Sequence, residues 1–197
     1  MGSLPAMVAL HLSQDPEADK FVSGNSLGLL IGMILDQQIT IEKAFSSPAE
    51  LARRLGGTLD AATIASMPLD ELTEVFRERP ALHRYPGSMA GRVQEVCRVI
   101  AADYGNEADA IWKRVKTGDE LMDRLKALPG FGDQKAKIFT ALLGKQVGVR
   151  PVGWQTASTP YSDEGAFLSV ADITSTETLD KVRANKRALK AKAHAKK

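Results

Sequence analysis

Leu128-Pro129-Gly130-Phe131-Gly132 separates two helical runs, and it constrains the chain more than any other segment. Upstream, Asp119 to Ala127 is amphipathic at helical spacing, and downstream a strongly apolar run leads to Gly144. Proline followed by a Gly-x-Gly pair stops one helix and opens the next within a few residues, so the unit reads helix, hairpin turn, helix. Glycines at the mouth of a helix let backbone N–H groups approach an anion closely, and the helix N-terminus adds partial positive charge. The plain alternative is a tight helix–helix turn with no ligand.

Helical signals continue on both sides of this unit. Asn25 and Ser26 are cap candidates for a helix that is apolar on nearly all faces through Leu35 and then turns polar at Asp36-Gln37-Gln38, which marks it as central. Ser47-Pro48-Ala49-Glu50 reads as a helix start that Gly56-Gly57 closes. Short helices are expected over Asp60 to Ser66 and Asp70 to Phe76, a longer one over Ser88 to Tyr104, and another over Ala108 to Val115. The stretch Gly148 to Ala166 is loop-rich, and a last helix runs from about Thr176 into a basic tail. The expected fold class is all-α, with residues 1–24 as an N-terminal segment packing on the core, 25–175 as the helical domain, and 176–197 as C-terminal helix and tail.

Charge and cysteine content bound the chemistry. The 197-residue chain has a net charge of +2, yet residues 181–197 contain eight Lys or Arg and no acid, so the preceding residues are net acidic at −6. Such a tail attracts phosphate backbones, and it is equally the composition of a solvated helix end. The single Cys97 excludes an intrachain disulfide and any four-cysteine zinc or iron–sulfur site, which fits a reducing compartment. His11, His83 and His194 show no metal-ligand spacing, so no metal site is expected. Leu4 to Leu12 lacks the basic leader of a secretory signal, and the apolar run Leu27 to Leu35 is too short to span a bilayer, so no membrane partner is expected.

Leu128 to Gly144 resembles the helix–hairpin–helix of the HhH-GPD superfamily of base-excision DNA glycosylases. Leu29-Leu30-Ile31-Gly32-Met33-Ile34-Leu35-Asp36-Gln37-Gln38-Ile39-Thr40 is similar to that superfamily's second signature, an apolar helix ending in a glutamine-rich turn. The likeness covers most of residues 25 to 154 and implies a two-lobed helical bundle. It implies that the hairpin at Gly130, Phe131 and Gly132, with Lys135 and Lys137, contacts DNA phosphate. Backbone carbonyls of Leu128 and Phe131 would then be able to coordinate a monovalent cation. It further implies that Gln38 enters the duplex where a base is flipped out, with Gln37, Tyr85 and Trp154 as lesion-pocket or wedge residues. Each has a plainer role open to it: a solvated helix end for Gln37 and Gln38, half-buried structure for Tyr85, loop packing for Trp154.

Two positions depart from the superfamily's pattern. The strand-cutting members carry a nucleophilic lysine where this chain has Gln134, an amide that cannot form a Schiff base, and Lys135 follows one residue later. The aspartate expected at or next to Gly153, in Arg150-Pro151-Val152-Gly153-Trp154, is missing, and glycine cannot stabilise positive charge developing on a sugar. Asp36 is the first substitute carboxylate, followed by Asp163 and Glu164; its plainer role is a helix-end hydrogen-bond partner. The resemblance therefore implies a monofunctional glycosylase that releases a damaged or mispaired base from double-stranded DNA, acting as a cytoplasmic or nucleoid-associated monomer without a redox cofactor. The alternative is a catalytically inactive lesion or DNA-structure binder with the same fold, and a third class is a helical interaction module whose hairpin is only structural.

Overall fold

The computed structural model describes residues 9–195, and every regular element in that range is helical. Ten α-helices follow in order, with 3₁₀ turns at Ala108–Ile111 and Val170–Asp172 and a π turn at Leu143–Val147. The first lobe comprises α1 (Pro16–Gly24), α2 (Ser26–Leu35), α3 (Ile41–Arg54), α4 (Ala61–Ser66), α5 (Leu69–Arg77) and α6 (Pro86–Asp103). The second comprises α7 (Gly118–Lys126), α8 (Asp133–Leu142), α9 (Trp154–Ala157) and α10 (Thr176–Ala195). This is the all-α, two-lobed arrangement that the sequence predicts. The reading of Leu4 to Leu12 falls largely outside the described residues; within it, Leu10 and Leu12 are buried in the core.

Helix α2 is central because its sequence leaves no polar face. Asn25 caps it by accepting the Gly28 amide at 2.7 Å, and every residue from Leu27 to Leu35 is buried. Gly32 permits its close packing on α3, since a Cβ there would lie 2.5 Å from the Phe45 ring. Phe45 is itself fully buried, and removing a side chain of that size from water contributes roughly 1.5–3 kcal/mol. Leu72 and Phe76 of α5 and Val93, Val96, Cys97 and Ile100 of α6 join Phe45 in a core cluster that continues into the second lobe. Burial pushes the Cys97 thiol up to about 12, so it is an inert core residue.

Two expected boundaries are corrected. Helix α3 begins at Ile41 and runs through Pro48, so Ser47-Pro48-Ala49-Glu50 lies inside a helix. Thr40 supplies the true cap, accepting the Lys43 amide, because Ile41, Ala44 and Phe45 must sit on helical turns to reach the core. Ser47 then spends its hydroxyl on the carbonyls of Lys43 and Leu82, both at 2.8 Å. The amphipathic stretch Ala108 to Val115 is only a 3₁₀ turn to Ile111, and Arg114 adopts a positive φ of 62°.

In the second lobe, Thr117 caps α7 through the Glu120 amide, and α7 leads directly into the hairpin. Val152 accepts the Gly118 amide at 2.8 Å and donates to Lys116 at 3.0 Å, pinning the segment after the hairpin beside the helix before it. Lys135 of α8 bridges the lobes by reaching the Met33 and Ile34 carbonyls at the end of α2.

Candidate active site

The polar turn after α2 is held by its own backbone and by one histidine. The Asp36 amide donates to Gly32 O at 3.0 Å, and Gln37 Nε2 donates to Ile34 O at 2.8 Å, closing the last turn of α2. Gln38 is exposed in a left-handed conformation, φ 58°, which costs a non-glycine residue energy that the surrounding turn must supply. Buried His83 accepts the Tyr85 amide at Nδ1, 3.0 Å, so the ring proton sits on Nε2 and donates to Gln37 O at 2.9 Å. Tyr85 itself is exposed, its ring 6.1 Å from that of His83.

Burial is the main cause that lowers the His83 ring below its ordinary value of 6.5, against the backbone carbonyls of Gln37 and Leu35 that favour the proton. Between the lowered value and 6.5 the unfolded chain binds the proton and the folded chain does not. Stability linked to His83 is thus full above 6.5, falls as pH drops through that window, and levels off below the folded value. NMR titration of the imidazole between about pH 8 and about pH 5 is expected to give a midpoint below that of a free histidine. The Gln37 and Gln38 amides should shift with the same midpoint, and amides that ignore it would break the link between His83 and the turn.

The hairpin is built on a buried aromatic. Leu128 and Phe131 are both buried, and the Phe131 ring meets Phe139 at 6.3 Å, which in turn packs edge-on against Trp112 at 5.5 Å. Gly130 lies at φ 78°, a conformation that favours glycine, and the Phe131 amide closes the turn on Leu128 O at 3.1 Å. Gly132 is the N-cap of α8 and offers no side-chain cap, so the amides of the first turn face outward unclaimed by any side chain. Asp133 lies exposed in that turn, 3.0 Å from Lys137 and 3.9 Å from Lys126. A phosphate arriving here meets two ammonium groups and one carboxylate.

Lys135 corrects an expectation. Its ammonium does not point out with the hairpin amides; it turns inward and donates to Met33 O at 2.7 Å and Ile34 O at 3.3 Å, two carbonyls at the C-terminal end of α2. Those carbonyls lack helical partners and carry the negative end of the helix dipole, which is why a cation settles there. Burial lowers the Lys135 amine from its ordinary value, with Asp36 opposing that shift and Arg92 adding to it.

Between the end of α2, α8 and α10 lies a cavity of about 580 Å³. Asp36, Lys135, Gln134, Tyr161 and Lys186 supply its polar lining, and Met33, Ile138 and Leu168 part of its apolar lining. Gln134 Nε2 donates to the Tyr161 hydroxyl at 2.9 Å across the rim. Burial raises the Asp36 carboxyl from its ordinary value, and Lys186 and Lys135 pull it back down. One carboxylate, flanked by two ammonium groups and partly shielded from water, can stabilise a nearby cation or accept a proton from water.

The other sequence candidates lie elsewhere. Trp154 is buried against Gly144, where an added Cβ would lie 2.3 Å from the indole, and it lines a separate cavity with Lys145, Arg150 and Glu164. Its packing role prevails because Gly144 leaves it a slot. Gly153 is the left-handed N-cap of α9, φ 76°. Asp163 and Glu164 are exposed, and neither lines the Asp36 cavity. Sequence reasoning missed Tyr161, Lys186 and Leu189, which reach the cavity only through tertiary folding. Among the described residues, no group of three or more His, Cys, Asp or Glu side chains is placed to hold a metal ion, and no helix is long and apolar enough to cross a membrane.

A hairpin with uncapped amides, set beside a cleft that ends in one carboxylate, defines a helical protein of the helix–hairpin–helix class. The profile described as HhH-GPD superfamily base excision DNA repair protein matches residues 31–197, and the chain belongs to this superfamily. No curated protein and no solved structure gives a match. The matched range contains both the Asp36 turn and the hairpin, so membership makes this a protein of DNA base excision repair.

Proposed function

We propose that the chain is a monofunctional DNA glycosylase that hydrolyses the N-glycosidic bond of a flipped, damaged or mispaired nucleotide, with Asp36 as its catalytic carboxylate. The observation that carries this reading is that Asp36 lines the cavity beside the hairpin, whereas Gly153, Asp163 and Glu164 do not. In this reading the Gly130 and Gly132 amides and Lys137 hold phosphate, positioning the duplex without reading sequence. Gln38, exposed in its left-handed conformation, fills the gap left by the extruded base, with exposed Tyr85 as a second wedge. As the bond between C1′ and the base nitrogen breaks, the base leaves with the bonding electrons, ionised Asp36 stabilises the positive sugar, and water adds at C1′ as its proton passes to the carboxylate. Gln134, an amide tied to Tyr161, supplies no nucleophile, which is the ground for omitting strand cleavage. The protein is proposed to act as a cytoplasmic or nucleoid-associated monomer. It uses no redox cofactor, and the only ion proposed is a monovalent cation on the Leu128 and Phe131 carbonyls.

The missing carboxylate at Gly153 favours a second reading, a member that keeps the DNA grip and has lost catalysis. Stoichiometric protein is incubated with duplexes carrying uracil, hypoxanthine, alkylated purines, oxidised purines or oxidised pyrimidines and then treated with alkali. At least one duplex is expected to yield alkali-labile sites, and none to be cut without alkali. If no duplex responds while salt-dependent binding persists and weakens in Gly130→Val, the binding reading replaces the catalytic one.

A further inference from the structure

Helix α10 is two different objects joined at Asn185. Its first half is anchored: Leu179 and Val182 are buried, Arg183 pairs with Glu42 of α3, and Asn185 Nδ2 donates to Ala166 O at 2.9 Å and Phe167 O at 3.2 Å. From Lys186 to Ala195 every residue is exposed, so this stretch of helix has no packed face. Helices in proteins draw most of their stability from packing one face, and a short isolated helix is marginal in water. This extension persists on composition alone, with Ala188, Ala191, Ala193 and Ala195, no glycine and no proline.

Most of the charge on the extension lies on one side. Lys186, Lys190 and His194 follow at i, i+4 and i+8 and therefore form one ridge, with Arg187 next to it and Lys192 on the other side. The extension contains no acid, and among the described residues none of these cations forms an ion pair, unlike Lys181 and Arg183 in the anchored half. Like charges at i, i+4 repel and work against the helix they sit on. A ridge of this kind gains both stability and order when a line of negative charge lies along it.

The ridge is also placed. Lys186 and Leu189 line the cavity that holds Asp36, so the extension leaves the body of the protein at the cavity mouth. A polyanion that delivers one of its units into that cavity has to pass the ridge. We infer that Lys186, Arg187 and Lys190 form a second phosphate-backbone grip, a helical arm that lies along the duplex on the side of the cavity away from the hairpin. The inference rests on the DNA-binding reading above and extends it to a segment distinct from the hairpin.

The test measures binding of undamaged duplex across a salt series by fluorescence anisotropy, for wild type, the double variant Arg187→Gln/Lys190→Gln, and Lys192→Gln. These side chains are exposed and do not line the Asp36 cavity, so folding is not at stake. Each phosphate contact contributes about 0.9 to the slope of log K against log salt, so the double variant is expected to be shallower than wild type by about two, and Lys192→Gln to keep the wild-type slope. Equal slopes and affinities for wild type and double variant would overturn the arm while leaving DNA binding intact. Equal losses in the double variant and Lys192→Gln would overturn the one-sided ridge. If wild type binds no duplex even at low salt, the arm and the DNA-binding reading both fail.

Discussion

Replacing Asp36 by asparagine is expected to slow base release by about 10²- to 10⁴-fold, the range contributed by positioned acid–base and electrostatic groups, and at the same time to raise Tm. The second half of that result separates function from structure. Burial raises the Asp36 carboxyl, so the folded chain holds the proton more tightly than the unfolded chain. The stability this provides is full below the ordinary value of 3.8 and is lost as pH rises through the raised folded value. An ionised Asp36 therefore opposes folding, even with Lys186 and Lys135 nearby, and a neutral amide of the same shape removes that cost. A carboxylate kept merely to close a helix would show the reverse, a loss of stability with no change in rate. Thermal unfolding and single-turnover base release on the same preparation distinguish the two.

Lys135→Met is expected to change stability little and chemistry substantially. The substitution leaves the Met33 and Ile34 carbonyls without their cation, but it also removes an ammonium whose burial is unfavourable, and these effects oppose each other. Asp36 has no such compensation, because it loses one of the two cations that favour its ionised form. Its carboxyl moves further up, and the acid limb of the pH–rate profile moves to higher pH with it. On that limb the ionised fraction falls about tenfold for each unit the carboxyl rises. Lys135 holds two backbone carbonyls, so borohydride is expected to trap no covalent complex with an abasic duplex; a trapped adduct on Lys135 would contradict monofunctional chemistry.

The parts of this molecule that local chemistry determines were legible in the sequence. Gly130 needs a left-handed backbone, α2 is apolar all round, and Asn25, Thr117 and Gly56-Gly57 mark helix ends through their own hydrogen bonds or backbone freedom. Where tertiary packing competes with a local signal, packing prevails. Ser47-Pro48-Ala49-Glu50 carries every local mark of a helix start, yet burial of Ala44 and Phe45 extends α3 past it. The direction of Lys135 belongs to the same class: Lys135 and Ile138, at i and i+3, line the cavity, while Ala136 and Phe139 face the core. That spacing was a usable signal for an inward lysine. The contribution of α10 to the cavity had none, since periodicity says which face of a helix is apolar and not where the helix lies.

In the proposed mechanism the carboxylate of base release stands at the end of α2 and not after the hairpin. Single-turnover base release, on the duplex most responsive to wild type, tests it by comparing wild type, Asp36→Asn, Asp163→Asn and Glu164→Gln at one pH. Loss confined to Asp36→Asn, with the other two at the wild-type rate, is the expected result. Wild-type release by Asp36→Asn, or a comparable collapse in Asp163→Asn or Glu164→Gln, would contradict it.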